Sequence, residues 1–339
     1  MPGRSTITID RAAIAFNAAR LRERTGTAAL WAVVKANGYG DGATDVAAAA
    51  LRGGASALCV ATVGEALGLR RALPDARILV MGPTAASEIG AAREARLELV
   101  VGDGPLPEGL PVHLKLDTGM GRWGLGELPA PGRDVVGLMT HFASADSDAA
   151  FTRTQLERFL IATAPYPSLT RHAANSAATL MLPEAHLDAV RCGIALYGVD
   201  PLGEDASAHG LRPALRWSSS VAAVKLLRPG ESTGYGRRFT ATSDTWIGLV
   251  PVGYADGFRR DLTGTEILVD GRRAKVVGVV SMDALAVALD RRAEPGAAVT
   301  LVGEGITLEQ HARVAGTIAY EIACGIRSDV PRAEREVIG

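Results

Sequence analysis

The chain has 339 residues, is 47% hydrophobic and carries a formal charge of −1. That length supports two domains. The balanced charge leaves no basic footprint for nucleic acid or a membrane surface, and no apolar run approaches the ~20 residues of a membrane span. Met1 to Asp10 lack the basic-then-apolar layout of a signal peptide. The three cysteines, Cys59, Cys192 and Cys324, are widely separated, which points to a reducing cytoplasm and away from a disulfide framework. No His or Cys pair has metal-ligand spacing, so no metal is expected. Only four of the 36 basic residues are lysines, Lys35, Lys115, Lys225 and Lys275, so chemistry that needs an amine has few places to sit.

In chain order, Asp10 stands at an N-cap position before a helical pattern over 11–24. Eight β-rich runs follow, near 30–35, 57–62, 77–81, 97–101, 112–117, 135–141, 169–173 and 188–191. Ala-rich amphipathic stretches over 45–52, 64–73 and 149–162 lie between some of them. Eight strands with crossovers predict a parallel (β/α)8 TIM-type barrel over 10–211, with a doubly wound open sheet as the alternative. Prolines at 105, 107 and 111, and again at 129 and 131, leave two connections without room for a helix, so some outer helices are trimmed. From 212 to 339 the texture becomes short β-branched runs, over 221–227, 245–252, 266–269, 275–282, 284–289 and 298–302, separated by Pro, Gly and Asp. That reads as a C-terminal β domain closed by a helix over 313–324, with residues 1–9 pairing onto it.

Lys35 ends an apolar strand, where barrel enzymes place their active sites, and a glycine-rich turn bearing Tyr39 follows. A lysine at a strand end can simply snorkel to solvent, but a desolvated one is the usual Schiff-base partner of a carbonyl cofactor. Lys115 shares a strand face with His113 and Asp117, and the turn beyond carries Arg122. Residues 119–124 spell G-x-G-x-x-G, yet no helical pattern follows, so a dinucleotide site is set aside. The loops after strands seven and eight offer an anion site through Ser176, Gly193 and Ile194, next to Arg191. Ser176 also reads as the N-cap of a short helix. His141 ends a strand and reads equally as structural or catalytic. In the second domain Tyr254 sits between glycine-bearing turns and Met282 ends a strand.

Together these segments resemble the alanine racemase family. The runs V-V-K-A-N-G-Y-G, K-L-D-T-G-M-G-R, T-H-F-A-S-A-D, H-A-A-N-S, R-C-G-I-A-L-Y-G, G-Y-G-R-R-F, V-G-Y-A-D-G and S-M-D occur in the family's order over almost the whole chain. The resemblance implies a cytoplasmic pyridoxal 5'-phosphate enzyme that interconverts L- and D-alanine, supplies D-alanine for peptidoglycan and works as a homodimer. Lys35 would carry the cofactor and act as base on one face of the substrate Cα, with Tyr254 from the partner subunit on the other. Tyr39, Ser176, Gly193, Ile194 and Tyr320 would hold the phosphate. Arg191 would face the pyridine nitrogen, supported by His141. Arg122 and the Met282 N–H would meet the substrate carboxylate. Lys115, carbamylated, would orient Arg122, and Asp283 would play a supporting part.

Three positions depart from the family pattern: Asp41 where histidine is usual, Cys192 for proline, and Ala284 for glutamine. They put substrate range, rate and barrel stability in question without removing a base or phosphate ligand. A racemase for another small amino acid such as serine, a decarboxylase of the same fold and a non-catalytic cofactor carrier are the competing readings. Arg191 speaks against the decarboxylase, and the β domain with Tyr254 against the carrier.

Overall fold

A computed structural model describes residues 4–328 and 331–339, in two units. One comprises Ala12–Leu202 and Ala206–Arg212; the other comprises the N-terminal stretch up to Arg11, Gly203–Asp205 and Pro213–Gly339. Among the described residues no helix is long and apolar enough to cross a membrane.

β1 (Ser5–Asp10) precedes the eight strands of the first unit: β2 (Ala29–Val33), β3 (Ala57–Val60), β4 (Ile78–Val80), β5 (Glu98–Val101), β6 (Val112–Lys115), β7 (Val135–Met139), β8 (Thr170–His172) and β9 (Ala189–Cys192). All are parallel, and β2 pairs with β9 through Trp31↔Arg191, so the sheet closes. Closure excludes the open doubly wound alternative. β2, β3, β4, β6 and β9 are almost wholly buried because helices cover one face and the barrel interior the other. Helices occupy Ala43–Arg52, Val63–Ala72, Ile89–Glu94, Ala149–Thr163 and Ser176–Met181. The β5–β6 and β6–β7 connections carry none, where the prolines forbid them.

The barrel interior is polar. Arg77 grips Glu98 through two bonds of 2.7 and 2.9 Å. Glu98 Oε2 lies 2.9 Å from His113 Nε2, His113 Nδ1 lies 2.8 Å from His172 Nε2, and His172 Nδ1 lies 2.8 Å from Arg191 Nη1. The rings of Trp31 and His172 pack tilted at 58° with centroids 4.6 Å apart, and Arg77 lies 4.7 Å over the indole. Room for His113 comes from its cross-strand partner Gly137, where a Cβ would stand 2.1 Å from Nδ1.

The second unit is built on β10 (Leu215–Ser220), β11 (Ala223–Leu227), β12 (Ser232–Thr233), β13 (Phe239–Thr240), β14 (Thr245–Val250), β15 (Glu266–Val269), β16 (Arg272–Val277), β17 (Leu285–Leu289), β18 (Ala298–Val302) and β19 (Glu334–Ile338). Nine strands form one sheet in the order β11-β14-β17-β16-β15-β18-β10-β1-β19, and β12 and β13 form a separate ribbon. β1 lies between β10, antiparallel, and β19, parallel. Residues 1–3 of the stretch expected to pair there lie outside the described residues. Ile247, Val277 and Ala286 form a core cluster under Leu227, Phe239, Leu249 and Ala288.

Two expectations need correcting. The helix expected over 313–324 is two helices, Leu308–Ala315 and Ala319–Gly325, because Gly316 takes a left-handed C-cap conformation (φ 65°) that ends the first. The run expected over 275–282 ends at Val277, one residue before Gly278 turns the chain at φ +69°.

Two outcomes follow from the polar interior. Burial lowers the pKa of His113, against the pull of Glu98, and burial with Arg191 lowers that of His172 well below the ordinary 6.5. Burial opposes ionisation of Glu98, but hydrogen bonds from His113 and Arg77 win and hold its carboxyl at about 2. All three groups bind protons more readily in the unfolded chain. Their stabilisation is therefore present above pH 6.5 for the histidines and above 4.5 for Glu98, and is lost as pH falls below those values. The melting temperature should be level from pH 8 to 7 and fall at pH 6 and further at pH 4, by about 2–4 °C per kcal/mol lost; equal values at pH 8 and 4 would refute this. Gly137→Ala should cost about 1–3 kcal/mol by driving a methyl into His113, and a denaturant midpoint equal to that of the parent chain would contradict it.

Candidate active site

β2 stops at Val33, so Lys35 opens a turn and does not end the strand itself. Ala36, Asn37, Gly38 and Tyr39 all have φ between 52° and 64°, and Gly40 has φ 95°. A left-handed run costs roughly 1–2 kcal/mol per non-glycine residue, and here specific bonds hold it. Gly38 N donates to Val34 O, Gly40 N to Ala36 O, Gly42 N to Asn37 O and Ala43 N to the Asn37 side chain. Glu65 completes the hold: Oε1 accepts from Ala36 N at 2.7 Å, and Oε2 from Ala61 N at 2.8 Å and Thr62 N at 3.1 Å. Its only trace in the sequence is the T-x-x-E capping box that starts the Val63–Ala72 helix.

Asn175, not Ser176, caps the Ser176–Met181 helix, accepting from Ala178 N at 3.0 Å. The Ser176 hydroxyl is left to face the next strand end, where it accepts from Gly193 N (3.0 Å) and Ala195 N (3.4 Å). Ile194 begins the 3-10 turn Ile194–Tyr197. A Cβ on Gly193 would stand 2.3 Å from the Tyr39 hydroxyl oxygen, so the glycine makes the space that the phenol occupies. Tyr39 packs on Tyr197 with ring centroids 4.8 Å apart. Two hydroxyls and backbone N–H groups thus converge at the ends of β2, β8 and β9.

Arg191 is 3% exposed, and both terminal nitrogens of its guanidinium bond the barrel. Nη1 donates to His172 Nδ1 and His172 O, and Nη2 to Thr140 O and Ala173 O, with His141 Nδ1 at 3.3 Å. Burial lowers its pKa to about 10, so it stays protonated at neutral pH. His141 is held neutral by burial and by the charges of Arg191, Arg122, Lys115 and Lys35. Lys115, itself buried, is pushed down to about 8 by burial, then by Arg122 and Arg191. Its Nζ donates to the Arg122 carbonyl at 3.0 Å, and both cations lie over the Trp123 ring, at 5.8 and 5.4 Å.

The G-x-G-x-x-G run is folded around Asp117, whose carboxylate accepts from the backbone N–H of Gly119, Met120 and Gly121. Those donors are thereby consumed and no helix follows, so the run has neither requirement of a dinucleotide site. Cys192 is buried, its thiol pushed up to about 12 and directed at Thr179 Oγ1 (3.4 Å). It fits inertly where the family usually has proline.

In the second unit Tyr254 and Met282 come together: Tyr254 N donates to Ser281 O (3.0 Å) and Ala255 N to Met282 O (3.1 Å). Both side chains are exposed, at 42% and 53%. Tyr320 lies in the Ala319–Gly325 helix beside Glu321, which pairs with Arg259. Asp283 follows Met282 and receives the Arg332 guanidinium at 2.7 Å. The sequence reading missed Glu65, Glu98 and Arg332, and gave His172 no role of its own.

The family model for the alanine racemase N-terminal domain matches residues 9–201, and that for the C-terminal domain matches 214–334. Alanine racemase 1 of Bacillus subtilis (strain 168) is 42% identical over 354 residues, covering 96% of this chain and 91% of that protein. The solved biosynthetic alanine racemase from Pseudomonas aeruginosa superposes with a TM-score of 0.92 at 37% identity, each chain fully covered. That from Streptomyces coelicolor A3(2) gives 0.90 at 39%, covering 99% of this chain and 98% of that one. With the models covering both units and relatives this similar along nearly the whole length, the chain belongs to the alanine racemase family.

Proposed function

We propose that this chain interconverts L- and D-alanine with pyridoxal 5'-phosphate as cofactor, supplying D-alanine for peptidoglycan. We further propose that Lys35 and Tyr254 are its two proton-transfer groups, and that it works as a cytoplasmic homodimer in which Tyr254 of one subunit serves the Lys35 site of the other. The observation that carries the reading is the meeting of two hydroxyls and a charged guanidinium at strand ends adjoining the turn that Lys35 opens, in a chain of this family.

The donor set fits the cofactor. Lys35 would supply the amine for its aldehyde; Tyr39, Ser176, Ile194 and Tyr320, with the Gly193 N–H turned from Ser176 Oγ to the ligand, would hold its phosphate. The gap at Gly193 that a Cβ would fill keeps the Tyr39 hydroxyl at that pocket. When bound, the cofactor delocalises negative charge from the substrate Cα and so acidifies its C–H.

Racemisation then needs one base on each face of the carbon, since a single base returns its proton to the side it came from. Lys35 serves the face that carries the Cα hydrogen of D-alanine and Tyr254 the face that carries that of L-alanine. Arg191 donates a hydrogen bond but keeps its proton, which limits how much charge is drawn off the carbon and disfavours transamination. His141 supports Arg191 from 3.3 Å. Arg122 and the Met282 N–H bind the substrate carboxylate, and Asp283 steadies the Met282 loop. Lys115 steadies Arg122. At pH 8 about half its amine is neutral and can add to carbon dioxide, forming an N–C bond and releasing a proton to leave a carbamate facing Arg122. A carbamate carbon signal should appear in the 13C spectrum with labelled bicarbonate and vanish in Lys115→Ala; a spectrum identical for both would dismiss the modification.

Incubation with each alanine enantiomer in D2O tests the two-base assignment. Lys35→Ala should lose covalent cofactor capture on borohydride reduction, read by mass. Tyr254→Phe should slow interconversion about 10²–10⁴-fold, equally in both directions because the enantiomers are isoenergetic, while D-alanine still exchanges its Cα hydrogen through Lys35. Capture at another lysine, or unchanged racemisation in Tyr254→Phe, would overturn the respective role.

A further inference from the structure

Tyr254 belongs to a 3-10 turn, Tyr254–Asp256, whose seat is the 281–283 loop. Gly253 lies so close to that loop that a Cβ would stand 2.2 Å from Ser281 O and 2.5 Å from Met282 O. Asp256 folds back to close the turn, its Oδ2 accepting from Gly253 N at 2.8 Å. This carboxylate is fully buried. The guanidinium of Arg332, from the C-terminal segment, meets it edge-on: Nε to Oδ1 at 2.8 Å and Nη2 to Oδ2 at 3.1 Å. The same Nη2 donates to Asp283 Oδ1 at 2.7 Å. Arg4 adds a bond to Asp283 O at 2.7 Å and lies 3.5 Å from Asp256 Oδ2. One arginine therefore holds both the turn that carries the phenol and the loop that carries the Met282 N–H. A bidentate guanidinium fixes orientation as well as charge, which a lysine ammonium cannot do.

We propose that Arg332, anchored on Asp256, is a positioning residue that sets the Tyr254 turn and the Met282–Asp283 loop in one frame, so that the phenol and the carboxylate-binding N–H approach a substrate at a fixed spacing. The inference rests on the reading of Tyr254 as second base, and the test separates the two. Misplacement of a reacting group by about 1 Å costs on the order of 10²-fold in rate. Arg332→Leu should therefore lower racemisation about 10²-fold while keeping bound cofactor and D-alanine Cα exchange close to those of the parent chain. In the same variant the amides of Gly253 to Gly257 should exchange with deuterium faster, and barrel amides should not. Asp256→Asn retains an acceptor for Gly253 N and loses the charge pairing, so it should show the same pattern more weakly and keeps the test open if Arg332→Leu does not fold. Arg332→Lys, with a point charge in place of the fork, should recover part of the rate.

Unchanged racemisation in folded Arg332→Leu, or a proportional loss of D-alanine exchange, would overturn the proposal. Unchanged amide exchange at 253–257 would do so by itself. Normal racemisation by Tyr254→Phe would instead overturn the second-base reading, and the amide exchange would still report whether Arg332 holds the turn.

Discussion

An arginine can only donate hydrogen bonds, and one buried at the centre of a barrel imposes that polarity on everything around it. Because Arg191 donates to His172 Nδ1, His172 must carry its proton on Nε2 and give it to His113 Nδ1. His113 in turn protonates at Nε2 and donates to Glu98, which Arg77 neutralises. Direction is thus fixed along the chain of contacts, with no freedom of tautomer. Both imidazoles remain neutral, so the interior carries two guanidinium charges and one carboxylate rather than a stack of cations. His172 holds the Arg191 guanidinium directly, and His113 and Glu98 behind it fix His172 in turn.

The two proton-transfer groups proposed here are set in the same manner on different scaffolds. Lys35 is followed by a left-handed run that the isolated chain would avoid, and Tyr254 sits on a tight turn between glycines. In each case one carboxylate accepts a backbone N–H at the turn: Glu65 from Ala36, while also binding Ala61 and Thr62 beyond β3, and Asp256 from Gly253. Carboxylates suit this work because two oxygens can satisfy several backbone donors that would otherwise be unmet in a bent segment. Rotamer freedom of a long side chain matters less when its backbone origin is fixed.

Much of the architecture was legible because barrel strands announce themselves as apolar runs and because Gly, Pro and Asp punctuate the second domain. Lys35, Arg191 and Tyr254 stood out for a local reason, each lying at a strand end or glycine turn. Ser176 was read by its local helix and its capping role was wrong; the decisive neighbour, Gly193, lies 17 residues on. Glu65 reaches Ala36 across 29 residues, and Arg332 reaches Asp256 across 76. No periodicity or spacing rule encodes partners so far apart. β19, with the charged sequence EREVI, was missed because an edge strand with alternating exposure carries little apolar signal.

The bare arc of the barrel has a meaning of its own. β5 and β6, joined without a helix, lie across the ring from β9 and β2, the strands that lead to Gly193 and to the Lys35 turn. The outer layer thus lacks helices on the side farthest from those strand ends, where Glu98 of β5 and His113 of β6 tie the wall into the interior network. A barrel wall secured from its hollow rather than from its jacket can shed residues outside without shifting what it displays at its rim.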